Sequence, residues 1–161
     1  MANEYCLFFE KAEFYQTADI LAYFQKMAPL LYLKGSVLPV VQVTDPSFNE
    51  RFVTEEQWET VFKSLREKFG KEDVFFHLDH QGDSTEASLA DKMADIYQDM
   101  KDFVMLFQKP SLYAKECAVA EIRSLFANHW GPALIHALGT CHGIIYRDAI
   151  DPDLFDDLDG V

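Results

Sequence analysis

Residues 54–70, TEEQWETVFKSLREKFG, specify both ends of a helix and one of its faces. Thr54 and Gln57 stand at the spacing of a capping box, and Gly70 follows the last turn, where helices commonly end. Trp58, Val61, Phe62, Leu65 and Phe69 fall within a stripe about 100° wide at helical periodicity. A helix that is apolar on one side must bury that side against other elements, and the remaining sequence offers mostly helices. Residues 3–15 read as a first amphipathic helix. Thr17 caps a second, which Pro29 is expected to kink and Gly35 to close. The stretch SVLPVVQVTDPSFNERFV holds two prolines and reads as irregular, since a lone extended piece there has no partner strand. After the loop HLDHQGDST, Ser84 or Thr85 starts a further helix running to about Gln108. Pro110 opens a long last helix that Gly131–Pro132 kinks or breaks. The expected fold is all-α: a single-domain bundle of five or six helices over residues 1–147, ending in a kinked final helix. Trp58, Phe62, Leu65, Met93, Ile96, Met100, Phe103, Leu134 and Leu138 are expected in one core.

Charge and cysteine usage narrow the function classes. The 27 acidic and 14 basic residues give a formal charge of −13, which repels phosphate backbones and argues against direct nucleic-acid binding. A protein partner with a basic surface is favoured instead. Residues 148–161 carry six aspartates and no Lys or Arg, leaving −7 on residues 1–147. This acidic tail is expected to be disordered, with Leu154, Phe155 and Leu158 as a candidate docking side of a short helical turn. Cys6, Cys117 and Cys141 are far apart and odd in number, which suits buried thiols in a reducing cytoplasm better than a disulfide framework. No apolar run is long enough for a membrane span, and the acidic N-terminus lacks the basic start of a signal peptide.

The strongest candidate for chemistry is the acidic series Asp91, Asp95, Asp99 and Asp102. On a helical wheel with Asp91 at zero, the other three fall at roughly 20° to 80°. Leu89, Met93, Ile96, Tyr97, Met100, Phe103, Val104 and Phe107 lie between roughly 120° and 240°. The aspartates therefore read as an outward, solvated acidic face. Magnesium needs acids from two helices converging on one point, as in all-α nucleotide pyrophosphatases. Glu56 and Glu59 on the capping-box helix sit about 160° and 100° from its apolar centre, so they are poorly placed for that. His77, Asp79 and His80 are weak candidates for a metal, and the reading is of a solvated loop. His129 and His136 share a face with Ala133, Thr140 and Gly143, which suggests close approach of another helix, from this chain or from a second copy in a homodimer. His142 reads as a core or core-edge histidine. No serine elbow, Cys/His signature or phosphate-cradling glycine loop occurs, and no cofactor is implied.

Three segments, PLLYLKGSVLP (29–39), SLADKMADIYQDMKDF (88–103) and HWGPALIHALGTCHGIIY (129–146), together resemble a bacterial family, domain of unknown function 5063. The resemblance covers roughly residues 3 to 147 and leaves the acidic tail outside. It implies an all-helical cytoplasmic domain and supplies no activity. Family members tend to start somewhat earlier, so the first helix is expected to be short; Pro132 departs from the family pattern. The leading expectation is a non-enzymatic interaction, adaptor or immunity-like module that meets its partner through an acidic or aromatic surface. The alternative is a metal-dependent hydrolase of a nucleotide or other phosphorylated small molecule, with Asp91, Asp95, Asp99 and nearby histidines as ligands.

Overall fold

The capping box forms as its sequence requires. In the computed structural model, which describes residues 1–147, the Thr54 hydroxyl accepts the Gln57 amide N–H at 3.2 Å. Gln57 Oε1 in turn accepts the Thr54 N–H at 3.1 Å. The helix so begun, α3 (Glu55–Phe69), buries Val61, Leu65 and Phe69, while Trp58 and Phe62 stack on each other at its edge. Before it come α1 (Ala2–Phe9), shorter than the expected helix, and α2 (Thr17–Ser36); after it come α4 (Leu89–Phe107), α5 (Leu112–Leu125) and α6 (Gly131–Ile145). The fold is a helical bundle, with all nine expected core residues either buried or packed against the main core. Its axis is α4, which packs against α1, α3, α5 and α6.

Several local expectations give way to tertiary packing. Thr17 is the first residue of α2 and donates its hydroxyl to the Lys68 carbonyl at 2.7 Å, tying α2 to the end of α3. Helix α2 continues through Pro29, and Gly35 is a buried helical residue rather than its terminator. A Cβ at Gly35 would lie 2.5 Å from Phe126 Cε2 and from Trp130 Cη2, so the glycine is there to let two aromatic rings approach the helix backbone. The expected break at Gly131–Pro132 takes the form of one π-helical turn, Phe126–Trp130, between α5 and α6. Pro132 lacks the N–H that an unbroken α-helix needs, and the wider turn absorbs that loss. A Cβ at Gly131 would collide with the Phe126 carbonyl oxygen.

Among the described residues one hairpin departs from the helical pattern. Residues expected as a loop and a helix start form an antiparallel hairpin, β1 (Val74–Leu78) and β2 (Ser84–Ser88), with Phe76 opposite Glu86. Its turn is closed by the Asp79 N–H to the Asp83 carbonyl at 2.9 Å and the Gly82 N–H to the Asp79 carbonyl at 3.1 Å. Gly82 has φ of 87°, the left-handed conformation that such a bulged turn demands. Ser88, not Ser84 or Thr85, caps α4 by accepting the Asp91 N–H, and buried Asp73 accepts the Ala90 N–H at 2.7 Å. Residues 40–53 are irregular apart from one short 3-10 turn at Pro46–Phe48, as expected, and strap across α4 and α5.

Candidate functional site

Helix α4 buries 11 of its 19 residues, and its aspartates do not form the expected outward stripe. Asp99 is 1% exposed and Asp102 9%, while Asp91 and Asp95 are half-buried. The reason is that α3, the 49–53 strap and the π turn cover the side of α4 opposite its apolar stripe. Met105 and Phe107, near its C-terminal end, are its exposed residues.

Each inward carboxylate has a specific partner. Asp95 Oδ1 accepts the indole N–H of Trp58 at 3.0 Å. Asp99 Oδ2 meets His129 Nδ1 at 2.5 Å, and His129 Nε2 lies 3.6 Å from Asp95 Oδ2. Asp102 Oδ1 accepts two backbone amides, Phe52 at 2.7 Å and Val53 at 2.9 Å. Arg51 reaches towards Asp102 Oδ2 at 3.9 Å and pairs with Glu121 at 3.3 Å. These contacts pin the strap and the π turn to the central helix. Burial pushes the Asp99 carboxyl above the usual carboxylate range, with the His129 hydrogen bond pulling the other way. Burial, then the neighbouring Asp91 charge, raises Asp95. His129 is itself raised by its bond to Asp99 against its own partial burial.

Two buried oxygens of these carboxylates stay without a hydrogen-bond partner, Asp99 Oδ1 and Asp102 Oδ2. Both side chains line one cavity with Arg51, Glu121 and Phe103. Its volume is about 20 Å³, room for roughly one water. That space admits no nucleotide. Among the described residues, no group of three or more His, Cys, Asp or Glu side chains is arranged to hold a metal ion.

The other candidates are dispersed. His77 stacks on His136 of α6 at 4.0 Å between ring centres, joining the hairpin to the bundle. Asp79 is a turn residue: Oδ1 accepts the Gln81 and Asp83 amides, which hold its carboxyl below its usual value. His80 is exposed in that turn. Glu56 is exposed and Glu59 pairs with Lys63 on the outside of α3. His142 is exposed beside the Tyr146 ring rather than in the core. The three cysteines are free and buried. Leu154, Phe155 and Leu158 lie outside the described residues. Sequence reasoning missed Arg51, Trp58 and His129 as partners of the acids, since they lie 30 to 51 positions away with no local signal.

A larger concavity lies elsewhere, between α2 and α6. It is a groove of about 660 Å³ lined by Ala28, Pro29, Tyr32, Leu134, Ile135, Leu138, Gly139 and His142. Tyr32 and Ile135 stand exposed along it. No described helix is long and apolar enough to cross a membrane.

A family model described as "Domain of unknown function (DUF5063)" matches residues 1–147. The chain is also similar to the crystal structure of protein BF1032 from Bacteroides fragilis, a structural genomics target. The two are 29% identical, the match covers 89% of this chain and 86% of that one, and the TM-score is 0.80. A search of curated proteins finds no match. The chain belongs to the family of domain of unknown function 5063.

Proposed function

Taking that membership as the starting point, we propose that the chain is a non-enzymatic protein-interaction module of the cytoplasm. The observation that carries this reading is the α2–α6 groove: it is external and mainly apolar, with Tyr32 and His142 its polar wall side chains. A catalytic cleft needs convergent polar groups, whereas an apolar groove with exposed Tyr32 and Ile135 suits apolar side chains of a partner. The acids of α4 are spent on internal bonds to Trp58, His129 and the strap, so they support structure rather than recognition. The charge of −13 favours a partner with a basic surround. An immunity-like module that masks the basic active site of a nuclease or toxin is one concrete form.

The test is partner recovery on the immobilised full chain at low and high salt, repeated with Ile135→Asp. Ile135 is 53% exposed, so the fold should tolerate the change. Loss of a salt-sensitive partner in the variant supports the reading; identical recovery overturns it. The hydrolase alternative keeps one observation, the meeting of Asp95 and Asp99 at His129. Metal-dependent nucleotide hydrolysis that disappears in Asp99→Asn would favour it.

A further inference from the structure

The hairpin presents a second surface, independent of the groove. We propose that two copies of this chain pair through the outer edge of β1, antiparallel about a twofold axis at Phe76, to make one four-stranded sheet. The hydrogen-bond parity of the hairpin fixes which groups are on offer. The turn bond from Asp79 to Asp83 makes that pair a bonded one, and bonded and non-bonded pairs alternate along an antiparallel ladder. With the register Phe76 opposite Glu86, the bonded pairs on β1 are His77 and Phe75. The N–H and C=O groups of Phe76 and Leu78 therefore point away from β2; the Leu78 carbonyl meets His77 Nδ1 at 3.2 Å, and among the described residues no further strand pairs with this edge.

The side chains divide in the same way. Phe75 packs against the core and His77 stacks on His136, while Val74, Phe76 and Leu78 are 49%, 65% and 70% exposed. Open edge strands are ordinarily blunted with charge, proline or a cover. The stretch VFFHL carries no lysine, no acid and no proline, although the chain around it has a charge of −13. Glu86 on β2 would face its own copy if that strand were the seam, and like charges opposite one another destabilise.

Strand β1 is self-complementary about its middle residue. With Phe76 on the axis, Phe76 faces Phe76 of the other copy and Val74 faces Leu78. All three pairs use outward backbone groups, and no charge meets a like charge. Two acidic copies repel at long range, so salt should strengthen this association, whereas it weakens capture of a basic partner.

The experiment uses the full chain in sedimentation equilibrium over a concentration series, at low and moderate salt, with amide hydrogen exchange on the same samples. The expected result is a mass rising from 18.5 kDa towards twice that value, with tighter association in salt. The Phe76 and Leu78 amides should gain protection as the dimer forms. Phe76→Lys should weaken association at least about tenfold, because it places two like charges on the axis. Phe76→Thr, which keeps strand propensity, should weaken it less. A monomer at every concentration with both amides unprotected overturns the proposal. So does a dimer indifferent to Phe76→Lys in a chain whose circular dichroism is unchanged. Protection at every concentration that vanishes in a chain ending at Arg147 would assign the edge to residues 148–161 and equally overturn it.

Discussion

Removing the Asp102 carboxylate should loosen the strap over α4 by a calculable amount. Its Oδ1 takes the Phe52 and Val53 amides at 2.7 and 2.9 Å, and the residue is 9% exposed. A hydrogen bond to a charged group is worth about 1.5–3 kcal/mol net, so Asp102→Ala forfeits about 3–6 kcal/mol from the pair. Two terms offset this. The variant removes a buried oxygen that has no partner and a like charge beside Asp99, together about 1–2 kcal/mol. The Arg51 contact, at 3.9 Å and from a half-exposed side chain, adds little. The expected net loss is about 2–4 kcal/mol, read from urea unfolding as a lower midpoint at unchanged slope. Asp102→Asn keeps an acceptor for both amides and should cost about 1 kcal/mol or less. An alanine variant within about 0.5 kcal/mol of the parent would refute the reasoning, since that is what an exposed aspartate would give. Equal losses in both variants would refute it too, by showing that charge rather than acceptance of the amides matters.

Three further outcomes are expected. Gly35→Ala gains up to about 1 kcal/mol of helix propensity but forces the Phe126 and Trp130 rings apart at a cost of about 1–3 kcal/mol, so thermal unfolding should show a net loss. Gly131→Ala should be at least as damaging, because the obstructing atom is a backbone carbonyl that cannot rotate away. The His129 imidazole is raised above its ordinary 6.5, so the native state binds the extra proton and stability should fall as pH rises from there through the native value. His129→Gln should flatten that alkaline-side decline in a stability–pH profile; an unchanged slope would assign it to other groups.

What was legible in the sequence was whatever local chemistry decides. The capping box at Thr54 and the stripe from Trp58 to Phe69 both formed as read, because cap and face are set within one helix. The proline at 132 announced an interruption, although not that a π turn would supply it. Gly35 misled because a glycine near the end of a periodic run is ordinarily a stop, whereas here two rings from the π turn decide it. The hairpin was missed because β2, STEAS, has no apolar alternation and β1 is only five residues long. Its turn signal, DHQGD with a glycine at the left-handed position, was present and went unused. The aspartates misled for a geometrical reason. A two-sided wheel assumes one buried face, but α4 is the axis of the bundle. Neighbours therefore cover the acid side as well, and burial of the acids deepens from half-buried Asp91 and Asp95 to buried Asp99 and Asp102.

The claim that these acids point inward to fixed partners is tested most directly by the His129 ring itself. Its imidazole signals can be followed by NMR across a pH titration in the parent chain and in Asp99→Asn. With Asp99 Oδ2 2.5 Å from Nδ1, the midpoint in the parent should lie above 6.5 and fall towards that value in the variant. Asp91→Asn, on the same helix but outside the contact with His129, should move it far less. Midpoints near 6.5 that are the same in all three proteins would contradict the account and return the aspartates to the surface.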